Sequence, residues 1–93
     1  MKLSPQEIHD LKEVYEFFNS IPEEKWCKYS LITPTKQRCA VGHLSYGSPL
    51  CMKIISIIIK YNPEVTLDMK NDSEEGTAKQ NTLNYIKEIL NAQ

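Results

Sequence analysis

The sequence predicts a mainly α fold: one domain over residues 1–93, a compact bundle of about four helices with one short extended segment. Three observations predict it. Ser4-Pro5 and Ser48-Pro49 each place an N-cap residue before a proline at the first helical position. Thr77-x-x-Gln80 supplies a third start of the capping-box type. Behind each start, apolar residues either recur at three- and four-residue spacing or fill a run of helical length. A chain of 93 residues buries about two-thirds of the surface its unfolded form exposes. A stability of a few kcal/mol is expected for it, with self-association into a homo-oligomer as a source of support.

The elements follow in order. Ser4-Pro5-Gln6-Glu7 puts Glu at the third helical position, and Leu3 and Ile8 stand where a hydrophobic staple needs them. Ile8, Leu11, Val14, Tyr15 and Phe18 make the inward stripe of a helix over 5–19, which Pro22 stops. Residues 22–26 form one helical turn that brings Trp26 to the core, and 28–33 are irregular or weakly extended. A short helix is expected over 36–46, starting near Thr35 and stopped by Gly47. Gly42 within it costs roughly 1 kcal/mol relative to Ala, which points to close packing or close approach of a ligand. Ser48-Pro49 opens a helix over 49–61 that is apolar nearly all round and is expected to be buried on most sides. Val65, Leu67 and Met69 alternate with polar residues and read as a short strand or edge, and Asn71-Asp72-Ser73 with Gly76 as a loop. The last helix, 77–91, turns Leu83, Ile86, Ile89 and Leu90 inward. The expected core includes Leu11, Tyr15, Phe18, Trp26, Leu44, Ile54, Ile58, Ile86 and Leu90.

Charge is unevenly distributed. From Trp26 to Lys60 there are five bases (Lys28, Lys36, Arg38, Lys53 and Lys60) and no acid, while each flank carries six acids against three bases. All three cysteines, the only arginine and His43 fall in the positive block. The pI is near 6.1 and no helix has a basic face, which argues against nucleic acid. There is no run of about 18 apolar residues for a membrane span and no signal-peptide pattern behind Met1. The expectation is a cytoplasmic protein with no membrane partner, whose odd set of cysteines stays reduced.

The positive block supports several chemistries. Lys36, Arg38 and His43 suit an anionic partner, either a nucleotide-like small molecule or an acidic protein, since the guanidinium fork binds such groups bidentately. Gly42 and Gly47 would admit that partner to backbone N–H groups, and Tyr46 would stack against it. The bland alternative is that the block neutralises the acidic helices across the fold. Cys39 and His43 stand four residues apart, the spacing of one helical face, and with Asn71 or Asp72 they would make a thiol hydrolase. Cys27, Cys39, Cys51 and His43 would make a Cys₃His zinc site, although the tight C-x₂₋₄-C spacing of such sites is missing. Reduced cysteines in the core with a hydrogen-bonded His43 account for the same residues without chemistry. No metal or cofactor is expected.

Trp26-Cys27, then Cys39-Ala40-Val41-Gly42-His43-Leu44, then Asn71-Asp72 before a terminal helix resembles a set of small uncharacterised bacterial and phage proteins. These have a W-C or W-x-x-G segment, a hydrophobic C-A-x-G-[AH]-L helix and an N-D dipeptide preceding the last helix. The resemblance covers most of 26–90 and departs after Trp26, where the family often has Gly and this chain has Cys27-Lys28-Tyr29-Ser30. It implies no activity. It does imply a shared framework of Trp26, Cys39, Gly42, Leu44, Asn71 and Asp72, and a phage or prophage context. The function expected from the whole sequence is a small non-enzymatic binding or inhibitor protein, with Lys36, Arg38, Gly42, His43 and Tyr46 as its ligand site.

Overall fold

The structure, a computed structural model, describes residues 2–93. Helix α1 spans Pro5–Ser20 and starts as its sequence requires. Ser4 Oγ accepts the Glu7 amide at 3.1 Å, and the Glu7 carboxylate accepts the Ser4 amide at 2.8 Å. Both bonds satisfy helix-end donors that have no partner inside the helix. Leu3 is buried and Ile8 packs against the core, so the staple is in place. The inward face holds Leu11, Val14 and Phe18, with Tyr15 only half-buried. A 3₁₀ turn over Glu23–Lys25 then carries Trp26 into the core. There its ring meets Phe18 edge-on, centroids 5.4 Å apart.

The helix expected from Thr35 is much shorter, because Arg38 is held in extended pairing. Its amide donates to the Lys25 carbonyl at 2.9 Å and its carbonyl accepts the Cys27 amide at 3.0 Å. These form a parallel bridge with Trp26, and Ile32 pairs antiparallel with the same residue. With both of its backbone groups engaged elsewhere, Arg38 has none left for a helical turn. Helix α2 is therefore only Ala40–His43, capped by the Cys39 sulfur, which lies 3.5 Å from the Gly42 amide. Gly42 serves packing: a β-carbon there would collide with the Leu31 carbonyl oxygen and lie 3.2 Å from Arg38 Cβ.

Helix α3, Pro49–Tyr61, is capped by Ser48, whose Oγ accepts the Cys51 amide at 3.1 Å. It is not buried on most sides. One face, Cys51, Ile54, Ile57 and Ile58, enters the core, while Leu50, Met52 and Ile59 are exposed. So small a bundle has no further layer to cover them. The segment read as a strand is instead helix α4, Leu67–Asn71. Leu67 and Asn71 stand four apart and both turn inward, a helical period that the alternating apolar residues obscured. Helix α5, Ala78–Asn91, starts with Thr77 Oγ1 accepting the Gln80 amide at 3.2 Å. It is the centre of the fold, packing against α1 on one side and α4 on the other, with α2 also touching it. Ile86 and Ile89 are fully buried, whereas Leu90 is partly so. The Cα radius of gyration, 12.4 Å, is that of a compact chain of this length. No helix among the described residues is long and apolar enough to cross a membrane.

Candidate functional site

Asn71 organises the surroundings of the site. It is fully buried, and its side chain joins three distant segments. Oδ1 accepts the Ala40 amide at 2.9 Å and faces Thr82 Oγ1 at 3.4 Å. Nδ2 donates to the Cys27 carbonyl at 3.1 Å and to Asp72 Oδ1 at 2.9 Å. Trp26-Cys27, the Cys39-to-Leu44 segment and Asn71-Asp72, far apart in sequence, thus meet at one amide. Asp72 extends the link by accepting the Tyr29 amide at 3.0 Å. The sequence reading placed Asn71 in a polar loop. The structure places it at the end of α4, sealed in the core.

The positive block divides into two groups. Lys53 and Lys60 of α3 reach across to α1, with Nζ 3.4 Å from Asp10 Oδ2 and 3.0 Å from Glu7 Oε1. Lys28 donates to the Ser73 carbonyl at 2.6 Å. Lys53 and Lys60 thus pair with acids of α1, as the neutralising alternative has it, whereas the partner of Lys28 is a backbone carbonyl. Lys36 and Arg38 differ, since among the described residues neither side chain has an ion-pair or hydrogen-bond partner.

Arg38 lines an open groove of about 290 Å³ with Leu31, Ile32, Gly42, Ser45 and Tyr46. Three of the expected ligand residues, Arg38, Gly42 and Tyr46, therefore come together. Lys36 stands apart on the exposed 33–37 turn. Sequence reasoning missed Leu31 and Ile32, which are 47% and 50% exposed. Their only signal was an apolar pair just before Thr33-Pro34 with no helical or strand partner. Strained backbone occurs at one residue of the groove, Ser45, and at two outside it. Tyr29, Lys36 and Ser45 hold φ near +65°, a region that costs a side-chain-bearing residue about 1–2 kcal/mol.

His43 faces away from the groove. Its Nε2 lies 3.0 Å from the Lys25 carbonyl, and its ring packs on Trp26 with centroids 4.7 Å apart. Burial pulls its pKa below the ordinary histidine value, and the Arg38 charge adds to this. The Lys25 and Arg38 carbonyls act in the opposite sense without overcoming it. A neutral ring whose Nε2–H donates to Lys25 fits these surroundings.

Cys39 and His43 do not share a helical face, because Cys39 is the cap of α2 and not part of its first turn. Its sulfur faces the Gly42 amide, His43 faces Lys25, and Asp72 faces Tyr29 and Asn71. Among the described residues no hydrogen bond joins Cys39, His43 and Asp72 into a relay. The zinc alternative lacks a ligand set, since no three His, Cys, Asp or Glu side chains among the described residues converge. All three cysteines are free, Cys51 fully buried within α3. No protein-family model, curated protein or solved structure matches the chain.

Proposed function

We propose that this protein is a small non-enzymatic binding factor, of the kind phages use to block a host protein, and that it docks an acidic segment of its partner. One observation carries the reading: Arg38 stands without a counter-charge in a groove walled by exposed apolar and aromatic side chains. Arg and Tyr are the residue types that dominate binding hot spots, and aliphatic neighbours exclude water around them. An acidic side chain entering the groove would meet the guanidinium fork, with its apolar neighbours on Leu31, Ile32 and Tyr46. The groove is open and shallow, which suits a protein surface better than an enclosed small molecule. Strained backbone at Ser45, on the wall of the groove, supports the same place, since such strain gathers at binding sites.

The test is selection of a random peptide library on the wild-type protein, with counter-selection on Arg38→Ala. Peptides pairing Asp or Glu with Leu, Phe or Trp should be enriched and should fail on the variant. Enriched peptides that bind both proteins equally would refute the site. Selection of nucleotides in a parallel thermal-shift screen, without acidic peptides, would replace the protein partner with a small anion.

A further inference from the structure

We propose that Cys27 and Cys39 form a reversible disulfide that closes the segment carrying Leu31, Ile32, Lys36 and Arg38. The backbone supplies the geometry. The Arg38 amide on the Lys25 carbonyl and the Cys27 amide on the Arg38 carbonyl are the two bonds of a parallel bridge between Trp26 and Arg38. In parallel pairing the next residues along each segment also lie side by side and point to the opposite face from the bridged pair. Those residues are Cys27 and Cys39, and Cys39 is still extended, with φ −80° and ψ 175°. Paired segments run about 4.8 Å apart, inside the roughly 4.4–6.8 Å between Cα atoms that a disulfide spans.

The side chains agree with this register. Trp26 and Arg38 both neighbour His43. Cys27 and Cys39 lie toward Asp72: Cys39 lines an open cavity of about 180 Å³ with Asp72, Tyr29 and Ser30. Burial raises the Cys27 thiol above its usual pKa, and the Cys39 and Asp72 charges raise it further. Asn71 holds both sides in place, through the Cys27 carbonyl and the Ala40 amide. Cys27 is half-buried and accessible to a small reagent, whereas Cys51 is fully buried within α3.

The exchange needs a small-molecule disulfide such as oxidised glutathione. The Cys27 thiolate attacks one of its sulfurs, forming a mixed disulfide and expelling one thiolate. The Cys39 thiolate then attacks Cys27 Sγ and expels the second. The two protein thiols are oxidised, the reagent is reduced to two thiols, and the two protein protons end on them. With the Cys27 thiol raised, the first step should accelerate as pH rises through the thiol range.

This pairing does not rest on the docking groove. The test incubates the folded full chain with oxidised glutathione near pH 8.5 and maps disulfides in unreduced peptides. A Cys27–Cys39 link is expected, with Cys51 unmodified and the thermal midpoint raised by roughly 10 °C. Cys51→Ser should leave the yield unchanged. Cys39→Ser keeps an N-cap side chain, so it should stay folded and stop at a glutathione adduct on Cys27. A wild-type chain that also stops at that adduct would overturn the inference. So would a link that forms only in denaturant, or one that joins Cys51.

Discussion

Replacing Asn71 with alanine removes the amide through which three segments meet. The cost follows from what is stranded. The Ala40 amide sits in a residue with no exposed surface and loses its only partner, Oδ1 at 2.9 Å. An unsatisfied buried donor of this kind costs about 1–3 kcal/mol. The Cys27 carbonyl loses its bond from Nδ2 but lies in a half-buried residue that water can reach, which adds about 1 kcal/mol. The vacated space in the core contributes more, so a total of about 3–4 kcal/mol is expected. For a domain of this size that is a large share of its stability. Urea unfolding followed by far-UV circular dichroism would show the midpoint fall with the slope retained. Asn71→Asp keeps the acceptor for Ala40 but turns a carboxylate toward the Cys27 carbonyl and Asp72. It should be at least as damaging at neutral pH. That buried carboxyl would titrate above its unfolded value, so the variant should recover relative to wild type as pH falls. A loss below 1 kcal/mol for Asn71→Ala would refute the view that this amide holds the fold together.

Other outcomes are expected with it. Gly42→Ala should cost about 1–3 kcal/mol and displace the Leu31-Ile32 stretch, visible as amide shifts there, because the added carbon meets backbone and not a flexible side chain. His43 has a folded pKa below its unfolded value, so the unfolded chain takes up the proton first. Its contribution is full above about pH 6.5 and declines as pH falls through that value, until the folded form also protonates. His43→Gln should flatten that part of the stability curve, and an unchanged curve would mean the ring is not held neutral. Asp72→Asn retains an oxygen for the Tyr29 amide, so it should cost at most about 1–2 kcal/mol and leave peptide binding within a few fold. A large loss of binding at unchanged stability would move Asp72 into the working site.

The parts of the fold legible in the sequence are those set by local chemistry. Ser4-Pro5, Ser48-Pro49 and Thr77 mark their helix starts because a capping side chain bonds an amide two or three residues away. What the sequence hid depends on long-range pairing. Arg38 lies in a stretch that looks helical, yet its backbone is held by Lys25 and Cys27, and nothing in the sequence around 36–46 records that. Asn71 has the look of a turn residue, as Asn-Asp-Ser usually does, and only the arrival of Ala40, Cys27 and Thr82 makes it a core residue. Met69 misled by alternation: it is exposed on α4, while the inward positions are Leu67 and Asn71. Of the residues that line the groove, charge, the glycine and the aromatic single out Arg38, Gly42 and Tyr46 in the sequence. Leu31 and Ile32 were missed because exposed apolar residues have no periodicity. His43 reads as a ligand donor because it falls in the acid-free positive block, but its ring packs on Trp26 and its Nε2 meets the Lys25 carbonyl.

The most direct measurement is the affinity of one acidic peptide, chosen from the library selection, for wild type, Arg38→Ala and Arg38→Lys. If the guanidinium grips a carboxylate, removing it should take away about 1.5–3 kcal/mol, roughly 10- to 150-fold, with the unfolding midpoint unchanged. Lysine should restore only part, since it keeps the charge and loses the fork, and wild-type binding should weaken as salt rises. Equal affinity across the three proteins would contradict the assignment of this groove.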